Sequence, residues 1–170
     1  SILAKKLSLN GFLVSFEGQS KFAQKLYNGK ITQDLLNDFK MPILTTMIKK
    51  DMFKKIKFDN RYTIIGDFDF FVRASLISKI KSIQIPLAYY RIHNTNLTTK
   101  KIDLNIKELE IWIREHMRKI NFKTFSFSNL KKLIQILKIK DKFNKGKKLS
   151  ALKIMIQRPF FINKLKFLPL

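Results

Sequence analysis

The chain contains no cysteine. That excludes disulfides, thiolate-bound zinc and cysteine nucleophiles, and it leaves the cellular compartment open. No apolar run reaches the ~18 residues that a membrane-spanning helix needs. The first stretch, Ser1 to Phe16, is broken by Lys5, Lys6 and Asn10 and has neither an initiator Met nor a small-residue cleavage site, so it reads as a chain entered midway rather than as a signal peptide. Acidic residues are scarce, 12 against 35 basic ones, for a net charge of +23. Arginine is scarce too, at 6 of those 35, the other 29 being lysine. Sequence-specific DNA readers favour Arg for bidentate base contacts, and no helix-turn-helix, zinc-finger or RNP-like pattern is present. Abundant Lys, Ile, Asn and Phe together are the mixture that A/T-rich codons specify, so the charge by itself does not call for nucleic acid as a partner. No internal repeat is found.

What remains is one domain's worth of chain. At 170 residues with 45% hydrophobic content, it is long and apolar enough to fold around a core. The charge is uneven. From Lys119 onward there are 14 basic residues and one acid, Asp141, whereas the preceding 118 residues carry 21 basic and 11 acidic. The C-terminal part is a compositionally separate piece, and the expected division is residues 1–120 and residues 121–170.

Local patterns predict an α/β chain. Gly11 to Phe16 reads as a buried strand, and Gln19 to Lys25 carries no clear signal. Asn28-Gly29 reads as a turn. Thr32 is placed to cap a short helix running to Phe39, which Met41-Pro42 ends. Ile43 to Ile48 has strand composition, Lys50 to Ile56 a short helical pattern, and Asp59-Asn60 turn chemistry. A helix is expected over Asp67 to Lys79, with Phe70, Phe71, Ala74 and Ile77 on one face. Two short strands, Ser82 to Ile85 and Leu87 to Ile92, flank Pro86. A longer helix follows from Asp103 to about Ile120, its stripe made by Ile102, Ile106, Leu109, Ile113 and Met117. Trp112 reads as helix packing, and His116 receives no role. Two basic amphipathic helices, Leu130 to Ile139 and Leu149 to Ile156, are separated by Asn144-Lys145-Gly146.

The chemistry concentrates in Gly66-Asp67-Phe68-Asp69, followed by Arg73 and then by Tyr90-Arg91-Ile92-His93. A general base must be ionised, fixed and close to the proton it removes. A carboxylate at a helix N-terminus meets the first two demands, because unpaired backbone N–H groups and the helix dipole hold it and favour its charge. The bland alternative is that Asp67 and Asp69 only cap the helix. Arg73 stands four residues after Asp69, the spacing of a helical ion pair.

Ile65 to Arg73 resembles the acceptor half of family-2, GT-A-type glycosyltransferases, which carry acid, Asp, aromatic, Asp, two apolar residues and Arg. Ile43 to Phe53 is similar to that family's strand and following basic helix. Phe58-Asp59 is similar to its Phe-Asp turn, and Pro86 to His93 to its Pro-Leu-x-x-Tyr-Arg-x-His, with Thr98 near its trailing Ser/Thr. The likeness covers about residues 28–99. Gly66 departs from the pattern, where the family usually has Glu.

The resemblance implies a partial GT-A-like mixed sheet with flanking helices, then a helical basic tail. It implies inverting glycosyl transfer of hexosyltransferase type, from a nucleotide sugar to the hydroxyl of a saccharide or lipid-linked acceptor, in cell-envelope polysaccharide or glycolipid synthesis. By position Asp67 is the general base, and Asp69 and Arg73 support it. His93 is a neutral nitrogen ligand for a divalent metal (Mg or Mn) or a donor to the departing diphosphate, and Arg91 faces phosphate. The metal and the nucleotide diphosphate would be held mostly by a nucleotide-binding half that this chain does not contain, so the chain alone is expected to be inactive. The setting implied is cytoplasmic, peripheral on the inner face of the cell membrane.

Two other readings are open. Thr63-Ile64-Ile65 could be a strand leading into an aspartyl nucleophile of haloacid-dehalogenase-type phosphatases, although Phe71 stands where that class has Thr or Val. The chain could also be a non-catalytic basic binding module, for a membrane surface or nucleic acid. In the tail, from Leu130 to Ile156, lysines lie beside apolar faces. That suits an interfacial helix on an anionic leaflet, and equally a helix packed on the domain with a lysine-rich outer face.

Overall fold

The computed structural model describes residues 28–41, 43, 46–81 and 101–156, together with the backbone pairing of residues 13–16 with 19–22. The predicted strands on either side of Pro86, with Arg91 and His93, lie outside the described residues. Helix predominates, with short antiparallel strand pairs beside it. The strands β1 (Leu13–Phe16) and β2 (Gln19–Phe22) pair antiparallel, with Leu13 opposite Phe22. The strand expected at Gly11 to Phe16 is therefore present in its second part, and the stretch that gave no signal supplies its partner.

Asn28-Gly29 is not a free turn. It forms β3 (Asn28–Gly29), which pairs antiparallel with β4 (Ile80–Lys81), Gly29 opposite Ile80. The turn chemistry is still expressed in the backbone. Gly29 has φ +81, a left-handed conformation that a side chain makes costly.

Helix α1 (Thr32–Asn37) begins one residue earlier than a Thr32 cap allows. Ile31 is the N-cap, no side chain caps it, and the Thr32 hydroxyl instead lies 2.8 Å from that of Ser75. Leu35 and Leu36 are buried, as the pattern indicates. Ile43 to Ile48 does not form the expected strand in its described residues. Ile43 is half exposed and Met47 fully exposed, so no pleated face is covered there. Helix α2 (Met52–Lys55) is one short turn, and Asp59-Asn60 turns the chain through the Tyr62 N–H to Asp59 C=O bond at 3.1 Å.

Helix α3 (Gly66–Ile77) is the centre of the molecule. Phe68, Phe70, Phe71, Val72 and Ala74 are all buried, so it is covered nearly all round. Its rings are engaged on several sides. Phe70 stacks on Phe58 with centroids 4.3 Å apart, and Phe68 meets Phe39 edge-on at 5.4 Å and Trp112 at 4.9 Å. Such pairs add about 0.5–1.5 kcal/mol each beyond area burial. Ile77, expected on the buried face, is 56% exposed, because the helix has reached its end there and β4 follows.

Helix α4 (Ile102–His116) buries Ile102, Ile106, Leu109 and Ile113 as its spacing predicts. Met117 leaves the stripe and is exposed, since the helix closes at His116 and a 3₁₀ turn (Ile120–Phe122) follows. Helix α5 (Ser128–Asn144) then crosses back over α4 and α1, and α6 (Lys148–Ile156) folds back on α5. Phe122, Phe127, Leu130 and Ile134 join the same core as α1, α3 and α4. The Asn144-Lys145-Gly146 break is where the sequence places it, with Gly146 at φ +70. No helix among the described residues is long and apolar enough to cross a membrane.

Candidate functional site

The N-terminus of α3 is held by a carboxylate from another helix. Glu108, on α4 and almost wholly buried, accepts the N–H of Thr63 at 2.8 Å through one oxygen and those of Ile64 and Ile65 at 2.9 and 3.1 Å through the other. Three backbone donors with no partner of their own are satisfied by a single side chain, with a negative charge at the positive end of the helix. Residues 63–65 are therefore bends, not the strand that an aspartyl-nucleophile reading requires.

Asp67 and Asp69 follow at once, and their environments diverge. At 3.6 residues per turn, two positions two apart lie about 200° apart around a helix. Asp69 points inward and is 1% exposed. Its carboxylate accepts two bonds of 3.0 Å from Arg73 Nε and one of 2.9 Å from the indole Nε1 of Trp112. Arg73 also donates to the Lys57 carbonyl at 2.8 Å, so the pair ties α3 to the segment before it. The i, i+4 pairing expected of Asp69 and Arg73 is present. Asp69, expected to support Asp67, gives its oxygens to Arg73 and Trp112.

Asp67 is half-buried and faces the other way. It lines a cleft of about 570 Å³ walled by Leu36 of α1, Phe68 of α3, Leu109 of α4 and Leu130 and Leu133 of α5. The cleft's polar groups include Asn37, Asn105, Asn129 and Lys132. Asn37 Oδ1 accepts from Gln33 at 2.9 Å and from Asn129 at 3.2 Å, which braces the rim between α1 and α5. The helix terminus does not keep the Asp67 carboxyl low, as the sequence suggested. Burial pushes it up and outweighs the Phe68 N–H bond to its Oδ1 at 2.7 Å. A carboxylate raised in this way is a stronger base and works closer to neutral pH. Gly66, the departure from the family pattern, has no atom within 4 Å of where a Cβ would stand, so a side chain there is sterically accommodated.

Behind Asp69 lies a buried stack that sequence reading passed over. The His116 ring lies parallel to Trp112, with centroids 4.3 Å apart and planes 13° apart. Its Nδ1 is 3.0 Å from the Trp112 carbonyl, and its Nε2 is 3.1 Å from Lys119 Nζ. Burial holds its pKa below the ordinary histidine range. A second concavity of about 470 Å³, lined by Lys57, Arg61, Arg73, His116 and Lys119, opens on this side. Its guanidiniums are engaged: Arg61 by Asp59 and Glu115, Arg73 by Asp69. The signal for this cluster was available, since Glu108, Trp112 and His116 stand at steps of four beside the isoleucine stripe of the same helix.

Of the expected site residues, the structure brings Asp69 and Arg73 together and turns Asp67 away from both. His93 and Arg91 lie outside the described residues. No group of three metal-ligating side chains occurs among the described residues. Because Asp69 is committed to Arg73 and Trp112, the Asp67–Asp69 pair does not form a metal-chelating motif. Comparison with family models, with curated proteins and with solved structures finds no match to the chain.

Proposed function

We propose that this chain is the acceptor-side part of a GT-A-like inverting glycosyltransferase and that Asp67 is its general base. The observation that carries this reading is the separation of the two acids. Asp69 is spent on rigidity, while Asp67, two residues earlier and about 200° round the helix, lines a cleft with its carboxyl raised by burial. Rigidity matters because a base must be within about 2.6–3.2 Å of the proton it takes. Glu108 below α3 and Arg73 along it supply that fixity.

In the proposed step an acceptor alcohol enters the cleft, is oriented by the amide groups of Asn37, Asn105 and Asn129, and gives its proton to Asp67. The alcohol oxygen forms its bond to the anomeric carbon of the donor as the bond to the nucleoside diphosphate breaks. The resemblance assigns the nucleotide and any divalent metal to a separate nucleotide-binding half.

The test uses the chain joined to its nucleotide-binding half. Asp67→Asn keeps shape and lowers sugar transfer by 10²-fold or more, the usual contribution of a general base, while acceptor binding followed by NMR is retained. An unchanged transfer rate removes Asp67 as the base. Loss of acceptor binding in Asn37→Ala with transfer chemistry otherwise intact supports the cleft as the acceptor site.

A further inference from the structure

We propose that the outer face of α6, with the turn before it, docks on an anionic lipid surface. The α5–α6 hairpin closes around Ile139, Ala151 and Met155, which are buried between the two helices. A flank of α6, about 110° round the helix from Ala151 and Met155, carries Leu149 at 85% exposure and Leu152 at 48%. They are three residues apart and so share one face, and on a helical wheel Lys148 and Lys153 stand on either side of them. Both lysines are exposed. Phe143, at the end of α5 just before the turn, is 37% exposed.

The charge around this face is mostly positive. Lys140, Lys142, Lys145, Lys147, Lys148 and Lys153 surround the turn, against Asp141 within it and Asp103 of α4, both of which act on Lys145. Asp141 is paired with Lys145 at 2.8 Å, and none of the other five lysines has a carboxylate partner among the described residues. An apolar ridge flanked by lysines is the pattern of a helix lying in a bilayer interface, its leucines at acyl-chain depth and its ammonium groups at the phosphates. At nine residues α6 is far too short to span a membrane, so it would lie on the surface.

The charge distribution selects this occupant over two others. A nucleic acid would use the lysines but has nothing to gain from two large leucines between them. A second copy of the chain would bring the same lysines face to face.

Flotation of the whole chain with vesicles tests it. Binding is expected to vesicles of phosphatidylcholine with 30% phosphatidylglycerol, and at least tenfold weaker binding to phosphatidylcholine alone. Leu149→Ser with Leu152→Ser, which leaves the charge unchanged, is expected to cut partitioning tenfold or more. Lys148→Gln with Lys153→Gln is expected to cut it several-fold and to reduce its salt dependence. Because the chain has no cysteine, Leu149→Cys carrying an environment-sensitive dye reads insertion directly. Its emission should shift to the blue on anionic vesicles, whereas the same dye at Lys54→Cys on α2 should not shift. Equal binding by the leucine double variant, equal binding to neutral vesicles, no binding at all, or a concentration-dependent dimer lost on Leu149→Ser would each overturn the proposal. Circular dichroism confirms that the variants fold.

Discussion

In the seam between α3 and α4, charge is buried and engaged. Glu108 takes three backbone N–H groups, and Asp69 takes a guanidinium and an indole. In the α5–α6 hairpin, lysines stand in solvent beside exposed leucines. The seam shows what a charged side chain does when its removal would strand partners in a low-dielectric interior. The hairpin shows the reverse, where charges and apolar groups alike are left facing outward. Positional precision belongs to the first region, and availability for an outside partner belongs to the second.

The sharpest way to break the contrast is to remove one carboxylate from the seam. Asp69→Ala strands Arg73 and Trp112 Nε1, and it should lower unfolding free energy by about 3–5 kcal/mol in urea titration. Glu108→Ala strands three N–H groups and should cost about 3 kcal/mol or more. A loss of under 1 kcal/mol in either would show that water or a shifted backbone replaces the carboxylate and that the seam is not what fixes α3. Trp112→Phe keeps most of the packing and loses one bond to a charged acceptor, for an expected cost of about 1.5–3 kcal/mol.

Asp67 should behave in the opposite sense. Its folded pKa is raised above the unfolded value of about 3.9. The folded state therefore keeps a proton that the unfolded chain gives up, and stability attached to that proton is present below pH ~3.9 and lost as pH rises through the folded pKa. Asp67→Asn should accordingly raise the thermal midpoint at neutral pH and leave it nearly unchanged at pH 3. A lower midpoint at pH 7 would mean that the ionised carboxylate stabilises the fold.

His116 titrates with the other sign. Its folded pKa lies below about 6.5, so the stability that it contributes as a neutral ring is present above that pH and lost as pH falls. Thermal midpoints followed from pH 7.5 to pH 5 should drop, and His116→Gln should flatten the drop. The smallest effect is expected in the hairpin. Leu149→Ser and Lys148→Gln should each stay within about 0.5 kcal/mol of the parent, and a larger loss would mean that the outer face of α6 is covered after all.

Much of the helical framework was legible in the sequence. Ile102, Ile106, Leu109 and Ile113 declare α4 by spacing alone, the pattern over Lys50 to Ile56 contains the shorter α2, and Asn144 to Gly146 mark the hairpin. The Asp69–Arg73 pair was also legible, because i, i+4 neighbours meet on any helix. The errors fall where local chemistry had a competitor. Ile43 to Ile48 has strand residues, but no described strand lies beside it. Asn28-Gly29 kept its glycine conformation and was drawn into pairing with Lys81 and Ile80, 53 and 51 positions away, which no window could show. Thr32 lost its capping role to Ser75 across the α1–α3 contact.

The sequence by itself determined the helix periodicities, the breaks between them, the lysine-rich C-terminal part and the placing of two acids at the start of one helix, since these depend on neighbours a few residues apart. Only the tertiary structure decided which acid stays open to a cleft and which is sealed, that Glu108 rather than a local residue holds the start of α3, and that Leu149 and Leu152 are exposed. The first two outcomes depend on burial and on partners 43 or more residues distant and the last on the packing of α6 against α5, and desolvation of a charge is a property of the packed chain, not of its order.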